Sequence, residues 1–188
     1  MLFANFLVSI PFLVLGMENL RYYDEAAHNF YNKLDVHGSP LHALDLFAQS
    51  FDRLSGNLAD IKSLKKMALT RNWHNVSHFG DEILKKHHVV VVMDTRLNIV
   101  YATQNMVEMN GYQPQEVLGK KPKMFQGKAT CRKTTKQVSR AIKEKVPFEV
   151  VLTNYRKDGT TYECHIKSSP VFDAVGKLVN FIAFEKVA

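Results

Sequence analysis

Residues 148–188 read FEVVLTNYRKDGTTYECHIKSSPVFDAVGKLVNFIAFEKVA, and the rest of the chain is best approached from this stretch. Three runs rich in β-branched and aromatic residues, Phe148–Tyr155, Thr161–Val171 and Leu178–Lys186, have strand length and strand composition. Lys157-Asp158-Gly159 supplies an Asp-Gly hairpin turn between the first two, and Asp173-Ala174-Val175-Gly176 a longer connection to the third. Side chains alternate along a strand, so Tyr162, Cys164 and Ile166 point one way and Thr161, Glu163, His165 and Lys167 the other. In the last strand Phe181 and Ala183 share a face with Glu185, yet Ile182 and Phe184 opposite them are also large and apolar.

Upstream, Val89-Val90-Val91-Val92 is apolar on both faces, and Asn98–Ala102 follows it after a turn at Asp94-Thr95-Arg96, which predicts a hairpin. Short helices fill the interval between the two strand groups. Thr103 caps one running through Met109 and ended by Gly111; Pro114 opens another closed by Gly119; Thr130–Lys145 forms a longer basic helix with Val138 and Ile142 as its buried candidates. The predicted fold is α+β: a five-stranded antiparallel sheet with its short helices on one face. Because the first and last strands are apolar on both sides, the outer face needs a cover.

Residues 17–86 offer one. Leu20, Tyr23, Ala27, Phe30 and Leu34 recur at helical spacing; Asp35–Gly38 breaks the pattern; Ser39-Pro40 starts a second helix. Its stripe of Leu44, Phe47, Phe51, Leu54, Leu58 and Ile61 reaches toward Thr70 and has two readings, one face of a bundle or a short seam between two chains. A helical hairpin follows, and Asn72–Lys86, with Trp73, Val76, Phe79, Ile83 and Leu84, reads as a further helical segment. Residues 1–16 are an apolar extension with no preceding cation and no small-residue cleavage site, shorter than a spanning helix. Export or anchoring is one reading of it, and a start at Met17 is the other.

The 188 residues, 46% apolar and 23% charged, exclude a disordered chain, and two cysteines exclude a disulfide scaffold. Cys131 and Cys164 read as reduced thiols of a cytoplasmic protein. Net charge of +7 comes from the second half alone, where ten Lys and Arg between Lys120 and Lys145 face only Glu144. That patch attracts anions, an acidic protein partner before nucleic acid, since no aromatic interleaving or helix-turn-helix pattern accompanies it. His74, His78, His87 and His88 lack a carboxylate or cysteine at metal-ligand spacing. No phosphate-cradling glycine loop, nucleophile elbow or phosphoacceptor histidine box is present, so no enzymatic activity is expected.

The motifs Asn110-Gly111-Tyr112, Glu116-Val117-Leu118-Gly119, Phe125-Gln126-Gly127, Asn154-Tyr155-Arg156-Lys157-Asp158-Gly159 and Ser169-Pro170-Val171 resemble the PAS superfamily, in particular its light-oxygen-voltage (LOV) branch, over about residues 88–188. The resemblance implies a PAS domain at 87–188 and does not extend to the N-terminal half, where hydrophobic spacing alone gives the helical region 17–86, a lid or dimerisation element, and the apolar extension 1–16. It also implies a pocket with Gln126, Asn154, Lys123, Cys164 and Glu185 as candidate ligand-binding residues. In photoactive members a cysteine in a Gly-x-Asn-Cys-Arg-Phe-Leu-Gln segment bonds to flavin mononucleotide (FMN). Here that segment is Gly119–Gln126 and proline occupies the cysteine position, so Pro122 removes the nucleophile. Lys121 and Cys164 replace two flavin-binding asparagines and Glu185 the signalling glutamine, which together weaken FMN binding. A carboxylate accepts hydrogen bonds but donates only when protonated, whereas an amide does both. The expected function is a non-enzymatic signalling module, homodimeric through its N-terminal helices and outer sheet face. A flavin photoreceptor working without the thiol adduct is the first alternative, and a DNA-associated regulator using residues 120–145 the second.

Overall fold

The computed structural model describes the backbone of residues 40–74 and 78–188, with side chains from Ala48 onward. Two compact units divide the chain, Met1–Phe47 and Ala48–Ala188, and the second carries all that follows. The extension 1–16, the helix expected at 17–34 and the Ser39 cap lie outside the described residues.

Strands β1 (Val89–Met93), β2 (Ile99–Ala102), β3 (Phe148–Tyr155), β4 (Thr161–Phe172) and β5 (Leu178–Val187) form one sheet in the order β2-β1-β5-β4-β3. Every neighbouring pair is antiparallel. The turns between β3, β4 and β5 fall at the Asp-Gly and Asp173–Gly176 segments, with Gly159 and Gly176 at the positive φ that those turns require.

Helix α1 (Pro40–Thr70) precedes the sheet, and α2 (Met106–Asn110), α3 (Pro114–Val117) and α4 (Arg132–Glu144) lie between β2 and β3. A 3₁₀ turn at Pro122–Phe125 that no sequence pattern announced stands before α4. Thr103 does not cap α2: its hydroxyl accepts from the Val90 amide at 2.9 Å and ties the chain to β1. Val138 and Ile142 are only half-buried, because α4 rests on the sheet by one edge.

Two apolar clusters sandwich the sheet. On the inner side Val89, Val91, Met93, Phe181 and Ala183 meet Met106, Met109, Val117 and Phe125. On the outer side Val90, Val92, Val171 and Ile182 meet Ile61, Leu64, Ala68, Trp73, Phe79 and Ile83. Each large side chain so buried contributes about 1.5–3 kcal/mol, which is why the valine run of β1 is stable only with both faces covered.

The cover departs from the expected stripe. Ile61 is buried, but Phe51 is 62% exposed, Leu54 48% and Leu58 52%, and Asn57, Asp60, Leu64 and Ala68 face inward instead. The reason is polar: Asp60 accepts from the Tyr101 hydroxyl at 2.6 Å and the Gln104 amide at 2.7 Å, and these bonds set the rotation of α1 over β2. At the other end Asn180 of β5 accepts from Arg71 Nη1 at 3.0 Å and Trp73 Nε1 at 3.2 Å and donates to the Met93 carbonyl at 2.8 Å. The segment after α1 is not one helix. Asn72 adopts φ 51°, Trp73 forms an antiparallel bridge with Asp173, and Phe79-Gly80 leads into a π turn at Asp81–Lys85.

Candidate functional site

The inner cluster contains a group of buried polar side chains. Register explains their meeting. Asn154 of β3 pairs directly with Tyr162 of β4, Cys164 lies two residues further along the same face, and Glu185 of β5 sits diagonally from Cys164 because its own partner is Ile166. Asn110, the last residue of α2, closes the group and is fully buried. Its position follows from Gly111, whose left-handed φ of 79° ends the helix there.

Burial without compensation governs the chemistry of this group. The Cys164 thiol points to Glu185 Oε2 at 3.9 Å. Among the described residues Asn110 Nδ2, Asn154 Oδ1 and the Tyr162 hydroxyl make no well-formed hydrogen bond, although the two amides lie close enough to the phenol to affect its pKa, and each such atom costs about 1–3 kcal/mol if it stays unsatisfied. Burial pushes the Glu185 carboxyl up to about 7, an effect that its contact with Cys164 only tempers. Burial, then the neighbouring Glu185, pushes the Cys164 thiol up; burial, then Cys164 and Glu185, does the same to Tyr162, against a smaller opposing influence of the Asn110 and Asn154 amides. Cys164 is thus a poor nucleophile. Arg156 lies 4.6 Å from the Tyr162 ring centroid while donating to the Met109 and Thr161 carbonyls at 3.2 Å.

Of the residues expected to line one pocket, Asn154, Cys164 and Glu185 come together in the interior. Lys123 and Gln126 do not join them: they line a surface cavity of about 380 Å³ with Gly127, Lys128, Thr130, Arg132 and Thr135. Pro122 and Lys121 belong to the turn beside it. Asn110 and Tyr162, which also belong to the interior group, stand outside the five candidate ligand-binding residues. The sequence signals them by the Asn110-Gly111-Tyr112 motif and by the strand face that Tyr162 shares with Cys164.

A second, electrostatic site is external. All ten cations of 120–145 are exposed, and Arg140 is paired with Glu144 at 3.4 Å. Cys131, exposed at the start of α4, has its thiol pKa lowered by hydrogen bonds to Thr134 and Lys133 more than by the charge of Lys133. Among the described residues no group of three metal-ligating side chains occurs, and no helix is long and apolar enough to cross a membrane.

Comparison with known proteins agrees with this architecture. The PAS domain family matches residues 87–186. Protein TWIN LOV 1 of Arabidopsis thaliana is 38% identical over 88 residues, 46% of this chain and 22% of that protein. The Bacterioopsin transcriptional activator of Halobacterium salinarum is 31% identical over 87 residues, covering 46% and 13%. This chain therefore spans less than a quarter of the length of those curated relatives. Among solved structures, a light-oxygen-voltage domain studied with a flavin analogue superposes with a TM-score of 0.54 at 29% identity, over 56% of this chain and 81% of that one. The dark structure of the Aureochrome1 LOV blue-light photoreceptor gives 0.55 at 26%, over 61% and 85%. The PAS domain of the fruit-fly ELK potassium channel, at 20% identity and a TM-score of 0.52 over 57% and 92%, shares the fold.

Proposed function

Since the chain belongs to the PAS domain family over residues 87–186, we propose that it is a non-enzymatic sensory module of the LOV-like branch. Its signal is a change in packing between the sheet and the helical cover. The observation that carries this reading is the double duty of β5: Phe181, Ala183 and Glu185 face the polar interior, while Asn180, Ile182 and Phe184 contact the cover. An occupant or charge on one side can bias the other only if it has different affinities for two arrangements. The division into a helical region 17–86 and a sensory domain 87–188, the cytoplasmic setting and homodimerisation are parts of the same proposal. The exposed Phe51, Leu54 and Leu58 favour a second copy as the dimer partner, and a solved relative, the fungal photoreceptor Vivid, is a light-state dimer. The exposed cations of 120–145 suit an acidic downstream protein; steeply salt-dependent binding of duplex DNA would instead favour a nucleic-acid role.

Amide hydrogen exchange at one fixed pH tests the reading. Enlarging an inner residue, Cys164→Met, is expected to speed exchange in residues 61–85 of the cover as well as in β4 and β5. Faster exchange confined to the two strands would refute signalling through the sheet.

A flavin-bound form is the second reading, favoured by the LOV relatives. The inner residues do not fit a flavin, because Asn154 faces Tyr162 while Gln126 and Lys123 open onto a different cavity; Pro122, lacking a thiol, rules out only the adduct. A yellow preparation that releases flavin on denaturation would restore it.

A further inference from the structure

Asp60 and Glu185 are both buried carboxylates, 3% and 7% exposed, and the structure treats them in opposite ways. Asp60 receives a phenol and a backbone amide at 2.6 and 2.7 Å. Glu185 receives only a thiol at 3.9 Å. The groups facing it are Cys164 and Tyr162 from β4, and beyond them Asn154 from β3 and Asn110 from α2, while its β1 partner is Val89. None of these is a cation, and Arg156 is committed to two carbonyls and the Tyr162 ring. An isolated charge in such a place is far costlier than a neutral carboxyl.

We propose that this domain senses protons: Glu185 is neutral in one state, and loss of its proton to solvent leaves an uncompensated carboxylate that shifts β5 against the outer helical cover. The inference rests on the sensory reading of β5 and names its stimulus. Burial, which pushes the carboxyl up to about 7, places the transition within reach of ordinary cellular pH. The Tyr162 hydroxyl, close enough to Glu185 for that charge to raise its pKa and without a well-formed hydrogen bond among the described residues, is a donor available to the anion, so the inner cluster has somewhere to reorganise to. The outward link runs through adjacent residues on opposite faces of the strand. Phe184 contacts the cover beside His88, their ring centroids 6.4 Å apart, and Asn180 holds Trp73, the chain's single tryptophan. His88, hydrogen-bonded to Glu82 at 2.6 Å on that outer side, is the titratable group most able to imitate the effect.

The test uses the full chain. Infrared difference spectra and Trp73 emission are recorded from about pH 5 to about pH 9. A protonated-carboxyl C=O band is expected to vanish with a midpoint near 7, and Trp73 emission to change with the same midpoint. Glu185→Gln should remove the band and flatten the emission curve, and His88→Gln should leave both. The proposal is overturned if the band is already absent at about pH 6, if emission keeps its midpoint in Glu185→Gln, or if emission stays constant while the band titrates. Should Glu185→Gln fail to fold, coincidence of the two midpoints in the natural protein and in His88→Gln decides. A silent Glu185 leaves the sensory reading itself to the fixed-pH exchange experiment.

Discussion

Replacing Glu185 by glutamine should alter how the stability of the whole domain depends on pH. The carboxyl titrates near its ordinary value of 4.5 in the unfolded chain and at about 7 in the fold. Between those two values the folded state holds more protons than the unfolded one, so stability falls as pH rises through the interval. Below it the group costs nothing; above it the penalty is constant. At 1.36 kcal/mol per unit, the full cost is about 3 kcal/mol. Urea denaturation at about pH 5 and about pH 8 should therefore show the natural protein losing about 2–3 kcal/mol more than Glu185→Gln over that span, every other contribution being common to both. In thermal melts the same difference is about 6–10 °C for a chain of this size. Parallel pH profiles for the two proteins would refute the reasoning, because they would mean that Glu185 is solvated or paired in the fold.

Leu64→Ala, at a fully buried position of the outer cluster, should cost about 3 kcal/mol in urea denaturation; Leu58→Ala, 52% exposed, should cost under about 0.5 kcal/mol in the monomer and weaken any concentration-dependent association. A methyl group at Gly127 would lie 2.5 Å from Tyr155 Cε2, and the Tyr155 hydroxyl, accepting from the Ala129 amide at 2.8 Å, holds that ring in place. Gly127→Ala should therefore lower stability by about 1–3 kcal/mol, and a denaturation curve unchanged from the natural protein would contradict the packing there. Cys131, exposed and with its pKa lowered chiefly by the Thr134 hydroxyl, should be alkylated at least about tenfold faster than buried Cys164; Thr134→Val should narrow that gap, as mass spectrometry of iodoacetamide-treated protein can show.

The sheet was legible because β-branched runs, an Asp-Gly turn and the alternation along Thr161–Lys167 all agree between Phe148 and Val187. Alternation also exposed the two-sided apolarity of β1 and β5, and hence the need for a cover. It could not say which side of α1 would supply it. Hydrophobic spacing chose Phe51, Leu54 and Leu58, whereas the structure turns inward a face that includes Asp60, whose value depends on Tyr101, 41 residues away. A polar residue that pays its desolvation through a distant partner carries no local signature. The π turn and the Trp73 bridge to Asp173 escaped for the same reason, being set by tertiary pairing. At the site, resemblance gathered Gln126 and Lys123 with Asn154, Cys164 and Glu185, and the fold divides them between a surface cavity and the interior.

The most direct measurement compares the full chain with residues 87–188 alone, by thermal melting, light scattering and binding of a hydrophobic dye. Without the cover, Val90, Val92, Val171 and Ile182 lose the partners that now bury them. The shortened chain should bind dye and either melt well below the full chain or associate. If it stays monomeric, ignores the dye and melts with the full chain, the outer face needs no cover, and no signal crosses the sheet to reach one.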